Sequence, residues 1–360
     1  MLKDKNIYLI PCLGFLSVIL VGWIVLMMPI CNNGGITPFD ALFTAVSATC
    51  VNGLTTVNLS TGYSFLGQIA IAIITEIGAI GFVTFISFIL NFKKKKMSLS
   101  ETLLLSSALN DNHYGKLKQR LREVIKYTIV IQIIGATLLA IDFIPRFGMK
   151  NGIWYSIFHS ITAFCNAGFD IIGDKSLVMF SKNIYVNIVF IALMFLGSIG
   201  YFVIEDVISC IKKKSFLHIS FHTKIVLTAS IIIYLVSIVL LKIAEPNLSV
   251  LEAVFTSVTA RTTGFSTIDM SSTLPITKLI ISFLMIIGGA PGSTSGGIRI
   301  TSIAILALTV RATLRNKKDV IVYYKKIDLQ TIRQAITNIV ICVMLVLISM
   351  FIMEKVQVMR

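Results

Sequence analysis

Three short segments of this 360-residue chain each end in a glycine and could present backbone carbonyl groups to a cation. Each segment has about ten residues with helical spacing, too few to cross a membrane, before it reaches Gly53, Gly168 or Gly264. Glycine suits this point because it has no side chain to block a path and tolerates unusual φ/ψ values. Carbonyl oxygens that follow a short helix can replace the water around a dehydrated cation. The pattern therefore predicts coordination by backbone rather than by side chains.

The candidate ion-site residues lie at the end of each segment. The alternative is that the segments are extracellular turns in which glycine serves only the chain geometry. A turn need not be preceded by a short apolar helix, so the sequence favours the ion site. The candidates are Cys50, Val51, Asn52 and Gly53; Asn166, Ala167 and Gly168; and Thr262, Thr263 and Gly264.

Titratable and thiol side chains near these residues support more than one interpretation. Acids at a pore entrance raise the local cation concentration, but ordinary solvated loop charges explain most of them equally well. Asp170, two residues after Gly168, is the best candidate for a role at the pore mouth. We expect Cys50 and Cys165 to pack behind the ion site, and Arg261 to point away from it and pair with an acid. The flanking acids are Asp40, Asp170, Asp174, Glu252 and Asp269.

A glycine-rich stretch from Gly288 to Gly297 predicts a flexible break in a membrane helix. Its five glycines in ten residues cannot hold a continuous helix. A phosphate-binding loop needs a pattern such as GxxxxGK[ST], and no lysine follows here, so we expect no enzyme or nucleotide site. We expect its small hydroxyl side chains to satisfy neighbouring backbone groups of the loop. The candidate residues are Gly288, Gly289, Pro291, Gly292, Ser293, Thr294, Ser295, Gly296 and Gly297.

The elements that would position these residues repeat about every 100 residues. Each unit has a membrane helix, a short glycine-ended segment, a second membrane helix and a basic stretch. A GxxG pair lies in each second helix, 25 to 29 residues after the glycine of the short segment. A lone pair would indicate helix packing through small residues, but three copies in register are hard to attribute to chance. The pairs are Gly78/Gly81, Gly197/Gly200 and Gly289/Gly292.

Composition predicts an all-α protein that crosses a membrane several times. Apolar residues make up 56% of the chain and charged residues 14%, against about 25% charged in soluble proteins. Ile7–Met28 is too long for the apolar part of a signal peptide and lacks a cleavage site after it, so we interpret it as a retained helix. Further long apolar runs are Ile125–Ile141, Ile184–Ile204, Ile225–Leu241 and Ala335–Met353.

The net charge of +15 follows a membrane pattern. Lysine and arginine gather in three connections, at residues 93–126, 212–224 and 311–333, whereas the connection from Pro29 to Gly62 has none. Because basic residues concentrate on the cytoplasmic side of membrane proteins, the N-terminus and these connections are predicted to be cytoplasmic in a cell-membrane protein. This distribution explains the charge without a nucleic-acid partner.

Glu76 lies inside a predicted membrane helix, where an acidic residue is usually functional or paired. An interhelical hydrogen bond and a pore-facing role are equally open. His159 lies within the second short segment, where we expect it to form hydrogen bonds rather than bind a metal. The histidines and cysteines have no metal-ligand spacing and suggest no disulfide framework.

At these residues the chain resembles the Trk/Ktr/HKT superfamily of potassium transporters, particularly the bacterial KtrB-type membrane subunit. The segments VNGL, NAGFD and TTGF resemble filter loops of that family, and GGAPGSTSGGIRIT resembles the intramembrane loop of its third repeat. The resemblance implies four helix–pore-loop–helix repeats around one pore. It also implies passage of dehydrated potassium through a backbone-carbonyl filter, with the glycine-rich loop as a gate.

The resemblance further implies a homodimer on a cytosolic ring of nucleotide-binding regulatory subunits of the KtrA/TrkA type, in contact with membrane lipid. It requires no organic cofactor and leaves open whether sodium is a coupling ion. Two other classes of function remain: a truncated, non-conducting remnant of such a subunit, and a secondary transporter with broken helices. The second class would place proton- or substrate-binding acids at mid-membrane, where only Glu76 fits.

The chain departs from the four-repeat pattern, because its last apolar run resembles the first helix of repeat four and no fourth pore loop follows. We expect such a chain to require a further segment or subunit to complete the ring. The predicted divisions are repeat one at 1–96, a cytoplasmic connection at 97–123, repeat two at 124–214, repeat three at 215–318 with its loop at 288–297, and a connection with the start of repeat four at 319–360.

Overall fold

The computed structural model describes residues 5–81, 117–173, 176–214, 219–317, 319–323 and 325–358, which are almost entirely helical. The prediction of an all-α protein is therefore confirmed. A short antiparallel hairpin joins β1 (Ile321–Val322) to β2 (Lys325–Lys326). The α-helices are α1 (Lys5–Met27), α2 (Pro38–Thr49), α3 (Leu59–Gly62), α4 (Phe65–Ile80), α5 (Leu117–Phe164), α6 (Ile184–Ser198), α7 (Tyr201–Lys212), α8 (Phe221–Ala244), α9 (Val250–Thr259), α10 (Pro275–Ile286), α11 (Ile300–Leu314) and α12 (Leu329–Val358).

The same order of long, short and second helix occurs three times in this part of the chain. In the first unit it is α1, α2 and α4, and in the third it is α8, α9 and α10. In the second unit the long and short helices are the two arms of α5, which separate at Gly148, where φ is 77° and ψ is 167°. Within each unit the helices pack on one another, as α1 does on α2 and α4, and α8 does on α9 and α10.

Two of the three short helices begin with side-chain caps. Thr37 caps α2, and Ser249 caps α9. In both cases the third residue of the helix, Asp40 or Glu252, returns its carboxylate to the backbone N–H of the cap residue, which completes a capping box. These two acids, considered in the sequence as pore-mouth charges, therefore stabilise the start of a short helix.

The second helices end or bend at the GxxG pairs, and the apolar run Ile184–Ile204 is divided between α6 and α7. α4 ends at Gly81 with φ 87°, and Gly200, with φ 86°, separates α6 from α7. The axes of α6 and α7 differ by 104°. Hydropathy did not reveal this break because both sides are apolar, whereas the left-handed φ at glycine redirects the chain. Three helices in the described residues are long and apolar enough to span a membrane, or four if this bent pair counts as one.

The first glycine of each of the first two pairs lets the second helix approach the end of a short helix closely. A Cβ added at Gly78 would lie well within 3.0 Å of Thr49 O, and one at Gly197 would lie equally close to Phe164 O. The helix packing through small residues that a GxxG pair indicates is therefore present here. Much of the outer surface is apolar, including most side chains of α12, as expected for lipid contact.

Candidate ion-conducting site

The three predicted ion-site segments share one unusual backbone path. In each, the residue two positions before the glycine and the glycine itself both have φ in the left-handed region. A left-handed φ is an outlier for a β-branched residue and costs about 1–3 kcal/mol, so its recurrence indicates a constraint related to function. The φ values are 55° and 79° at Val51 and Gly53, 58° and 70° at Asn166 and Gly168, and 66° and 104° at Thr262 and Gly264. We call these the filter segments.

The filter segments meet in a ring. The carbonyl oxygen just before the glycine of one segment lies against the glycine of another, so that an added Cβ would meet it. A Cβ added at Gly53 would lie well within 3.0 Å of Ala167 O, and one at Gly168 equally close to Thr263 O. A Cβ added at Gly264 would lie 3.6 Å from Asn52 O. Side chains are thus excluded from the centre, and backbone oxygens border it.

A cavity of about 410 Å³ opens above the ring and forms a vestibule. All three glycines of the filter segments line it, together with polar side chains such as Thr55, Thr56 and Asp170. Because the C-terminal end of a helix carries partial negative charge, the ends of α2, α5 and α9 just before the filter segments favour a cation here.

Asp170 lies at this vestibule but is not a free charge. Its Oδ1 accepts a hydrogen bond from the Ile172 N–H at 2.9 Å and lies 2.7 Å from His159 Nε2, whereas its buried Oδ2 has no partner. His159 Nδ1 lies 2.7 Å from Tyr155 O, and a carbonyl can only accept, so Nδ1 carries a proton. Both ring nitrogens are therefore used in hydrogen bonds.

The other predicted acids differ in their surroundings. The hydroxyls of Thr37 and Thr56 donate to Asp40 and hold the pKa of its carboxyl below its usual range. Asp269 accepts hydrogen bonds from Ser271 within its own loop. Asp174 lies outside the described residues, as does most of the basic connection at 93–126.

The glycine-rich loop, residues 288–297, lies against the second unit. Ala290 N donates to Ser198 O at 2.9 Å, and Gly292 O accepts from Tyr201 N at 3.0 Å, so the loop covers the break between α6 and α7. The loop closes at its base, where Gly288 N donates to Ile298 O. The expectation for its hydroxyls is wrong: those of Ser293 and Ser295 have no partner. The Thr294 hydroxyl bonds instead to residues of the second unit.

Arg261 holds the start of this loop, and the expectation that it pairs with an acid is wrong. Its Nη2 donates to Gly288 O at 2.8 Å, and its guanidinium lies 4.7 Å from the centre of the Tyr234 ring. Only 1% of the residue is exposed, and no carboxylate of the described residues lies within ion-pair distance of it. A carbonyl and an aromatic face thus contact the guanidinium in place of an acid, whereas its buried Nε and Nη1 have no hydrogen-bond partner in the described part of the chain.

Two hydroxyls that the sequence did not single out brace the filter. Thr259 Oγ1 donates to Phe265 O at 2.8 Å, and Thr162 Oγ1 lies within hydrogen-bond distance of both Phe158 O, at 3.0 Å, and Phe169 O, at 3.2 Å. Phe169 and Phe265 are each the residue after the glycine of a filter segment. A signal was available, because a hydroxyl residue followed by alanine occurs near the end of each short apolar helix.

The two cysteines next to the filter are not equivalent. Cys165 is buried and donates to Glu76 Oε2 at 3.2 Å, but Cys50 is exposed, so the expected packing of Cys50 is wrong. Glu76 Oε2 also accepts a bond from Gln132 Nε2 at 2.7 Å. Of the two roles considered for Glu76, the structure contains the interhelical hydrogen bond, which joins α4 to the first arm of α5, and a second bond to Cys165 just after the end of α5.

Replacing Glu76 by alanine should lower the stability of the folded protein by about 1–3 kcal/mol, because the Gln132 amide and the Cys165 thiol lose their acceptor. Glu76→Gln should retain most of the stability and the transport, since an amide oxygen can still accept. Thermal unfolding in detergent and cation uptake would be measured for both variants. Native stability together with abolished uptake in Glu76→Gln would instead indicate a pore-facing charge.

The chain is similar to known cation transport proteins. A family model described as TrkH, a cation transport protein, matches residues 26–360. The chain is 34% identical over 353 residues to the potassium/sodium uptake protein NtpJ of Enterococcus hirae, covering 95% of this chain and 77% of NtpJ. It is 33% identical over 350 residues to the Ktr system potassium uptake protein B of Bacillus subtilis, covering 94% and 78%. The crystal structure of the potassium transporter TrkH from Vibrio parahaemolyticus has the same fold, with a TM-score of 0.68, 18% identity and coverage of 94% and 68%.

Proposed function

The chain belongs to the TrkH family of cation transport proteins, and we propose that it is the ion-conducting membrane subunit of a potassium uptake system of the Trk/Ktr type. The relatives named above are ion transport proteins rather than enzymes. Under this proposal the filter segments hold a dehydrated potassium ion, and the loop 288–297 controls its passage.

The observation that carries the proposal is the ring of carbonyls and glycines. Ala167 O and Thr263 O each border the glycine of another filter segment, where a side chain would occupy the path. Uncharged carbonyl oxygens can replace the hydration shell of a monovalent cation without binding it too tightly to leave. The left-handed residues in all three segments support the same role, because their strain keeps the backbone in one path.

The position of the loop supports its role as a gate. It lies beside the break of the second unit, and its base is closed by backbone hydrogen bonds. Residues such as Gly292, with φ 71°, allow it to change path without steric cost. A loop of this kind inside the membrane is tolerated only where protein or a water-filled cavity surrounds it.

The wider assembly is part of the same proposal. The basic connections face the cytosol and a nucleotide-binding regulatory ring, and two copies of the membrane subunit form a dimer in the cell membrane. The description of one relative as a Ktr system protein supports a multi-component system, and that of another as a potassium/sodium uptake protein supports a role for sodium.

The direct test is potassium uptake. The chain, expressed in a potassium-uptake-deficient bacterial strain from its native coding sequence together with the segment or subunit that completes the ring, should restore growth at low external potassium and take up potassium in preference to sodium. The empty vector provides the background. Growth and ion uptake equal to that background, with the protein present in the membrane, would reject the proposed function.

A further inference from the structure

A chain of buried hydrogen bonds runs from one filter segment through a second to the gate loop. Thr263 Oγ1 donates to Asn166 Oδ1 at 2.7 Å, and Asn166 Nδ2 donates to Thr294 Oγ1 at 2.9 Å. The exposed fractions of Thr263, Asn166 and Thr294 are 1%, 1% and 6%. Because water does not reach these groups, a broken bond leaves a buried polar atom without a partner.

The direction of the Asn166 amide is determined by its neighbours. Its Nδ2 also donates to Phe164 O at 3.3 Å, and a carbonyl can only accept, so the nitrogen must be on that side. The oxygen then faces Thr263, whose hydroxyl donates to it. Asparagine also tolerates the left-handed backbone, with φ 58°, that this position requires.

Thr294 is the only one of the three that belongs to the loop, and its hydroxyl is positioned to accept from Asn166. It donates its own hydrogen toward Phe164 O at 3.0 Å or Gly197 O at 3.2 Å. The backbone N–H of Thr294 also donates to Gly197 O. The loop is thereby attached to the end of the second short helix, at a point distinct from its attachment to Arg261.

We propose that Asn166 is a positioning residue that couples the gate loop to the ion filter, an inference that rests on the proposed conducting function. When the loop moves away from the second unit, Asn166 loses Thr294 as a hydrogen-bond partner. The peptide groups of Asn166 and Ala167 are then held in place less firmly. Ala167 O is one of the carbonyls that border the ion path. Binding of an ion to the filter segments therefore stabilises the loop in its bound position. The bound loop in turn raises the affinity of the filter segments for the ion by the same factor.

Uptake measurements test this coupling with a residue outside the filter. Thr294→Val removes the hydroxyl at similar size, whereas Thr294→Ser retains it. We expect Thr294→Val to change the potassium-to-sodium preference of uptake by about fivefold, the effect of one buried hydrogen bond, and Thr294→Ser to behave like the native chain. The matched control is Thr75→Val, since the Thr75 hydroxyl is buried but donates within its own helix, to Ile71 O.

Hydrogen exchange of the purified protein tests the coupling without transport. In the native chain, potassium should slow exchange of the loop amides, residues 288–297, relative to choline at equal ionic strength. The ratio of the exchange rate in choline to that in potassium should be about fivefold smaller in Thr294→Val and native-like in Thr294→Ser. A purely structural role for Thr294 would speed loop exchange equally in both salts. If Thr294→Val does not fold, Thr263→Val breaks the other bond and is measured in the same way.

The outcomes separate the two proposals. A native chain that takes up no potassium when the completing segment or subunit is present rejects the conducting function. A native chain that takes up potassium selectively, but whose loop shows the same ion effect in the native, valine and serine forms, overturns only the role of Asn166. Thr263→Val and Thr294→Val combined should change selectivity less than the sum of the single changes, because both act through Asn166. Additive effects of the two changes would also overturn the proposed role of Asn166.

Discussion

Gly168→Ser should reduce the preference for potassium over sodium by about tenfold or more and lower potassium uptake. Gly168 has φ 70°, which a residue with a Cβ adopts only at a cost of about 1–3 kcal/mol, and each 1.4 kcal/mol corresponds to a factor of about ten. The new Cβ would also lie well within 3.0 Å of Thr263 O, so that carbonyl must move away from its place on the ring. The measurement is uptake of both ions in the potassium-uptake-deficient strain.

The matched control for this change is Gly173→Ser, later in the same connection. A Cβ at Gly173 meets no described atom within 4 Å, and its φ lies outside the left-handed region. This variant should transport and discriminate like the native chain. Equal selectivity of Gly168→Ser and the native protein, at equal amounts in the membrane, would show that the filter segments do not set ion preference.

Removal of residues 290–296 should raise potassium flux in the absence of regulatory partners by about tenfold or more, and should make flux less dependent on them. Passage through a closed gate is limited by the small fraction of open molecules, and a shift of that equilibrium by a few kcal/mol is enough for this change. The base of the loop is narrow, because an added Cβ at Gly297 would lie 3.1 Å from Gly288 Cα, so the deletion has only a short gap to close. Flux into proteoliposomes, with and without partners, is the measurement.

A control for the deletion keeps the loop intact. Gly296→Ala adds a Cβ that meets no described atom within 4 Å and leaves both ends of the loop in place, so regulation should persist. If the shortened protein folds, inserts in the membrane and retains fully regulated flux, the loop is not the gate. Loss of insertion would be detected separately by chromatography of the detergent-solubilised protein.

The sequence indicated similar backbone structures at three places, because the relevant information there is local and repeated. Each filter segment combines a short apolar helix with a glycine, and these features recur around Gly53, Gly168 and Gly264, so their spacing alone indicates similar structures. The fold class followed from apolar runs in the same way. That the three segments meet around one vestibule was an implication of the resemblance rather than of spacing.

The sequence could not predict contacts that depend on how the units pack together. Thr294 and Asn166 lie 128 positions apart, and neither residue type indicates the other as its partner. Arg261 was expected to pair with an acid because buried charges usually do, but its guanidinium contacts the carbonyl of Gly288 and the ring of Tyr234 instead. The break at Gly200 was missed because hydropathy reports burial in lipid and not backbone direction.

The unequal length of the breaks in the second helices has a kinetic consequence. Two residues separate α6 from α7, whereas thirteen separate Ile286, at the end of α10, from Ile300, at the start of α11. Pores in which several subunits move independently before opening show a delayed, multi-step opening. Under the proposed function, the one extended break among the described residues is the mobile element, so opening should follow a single exponential time course with one activation barrier per pore.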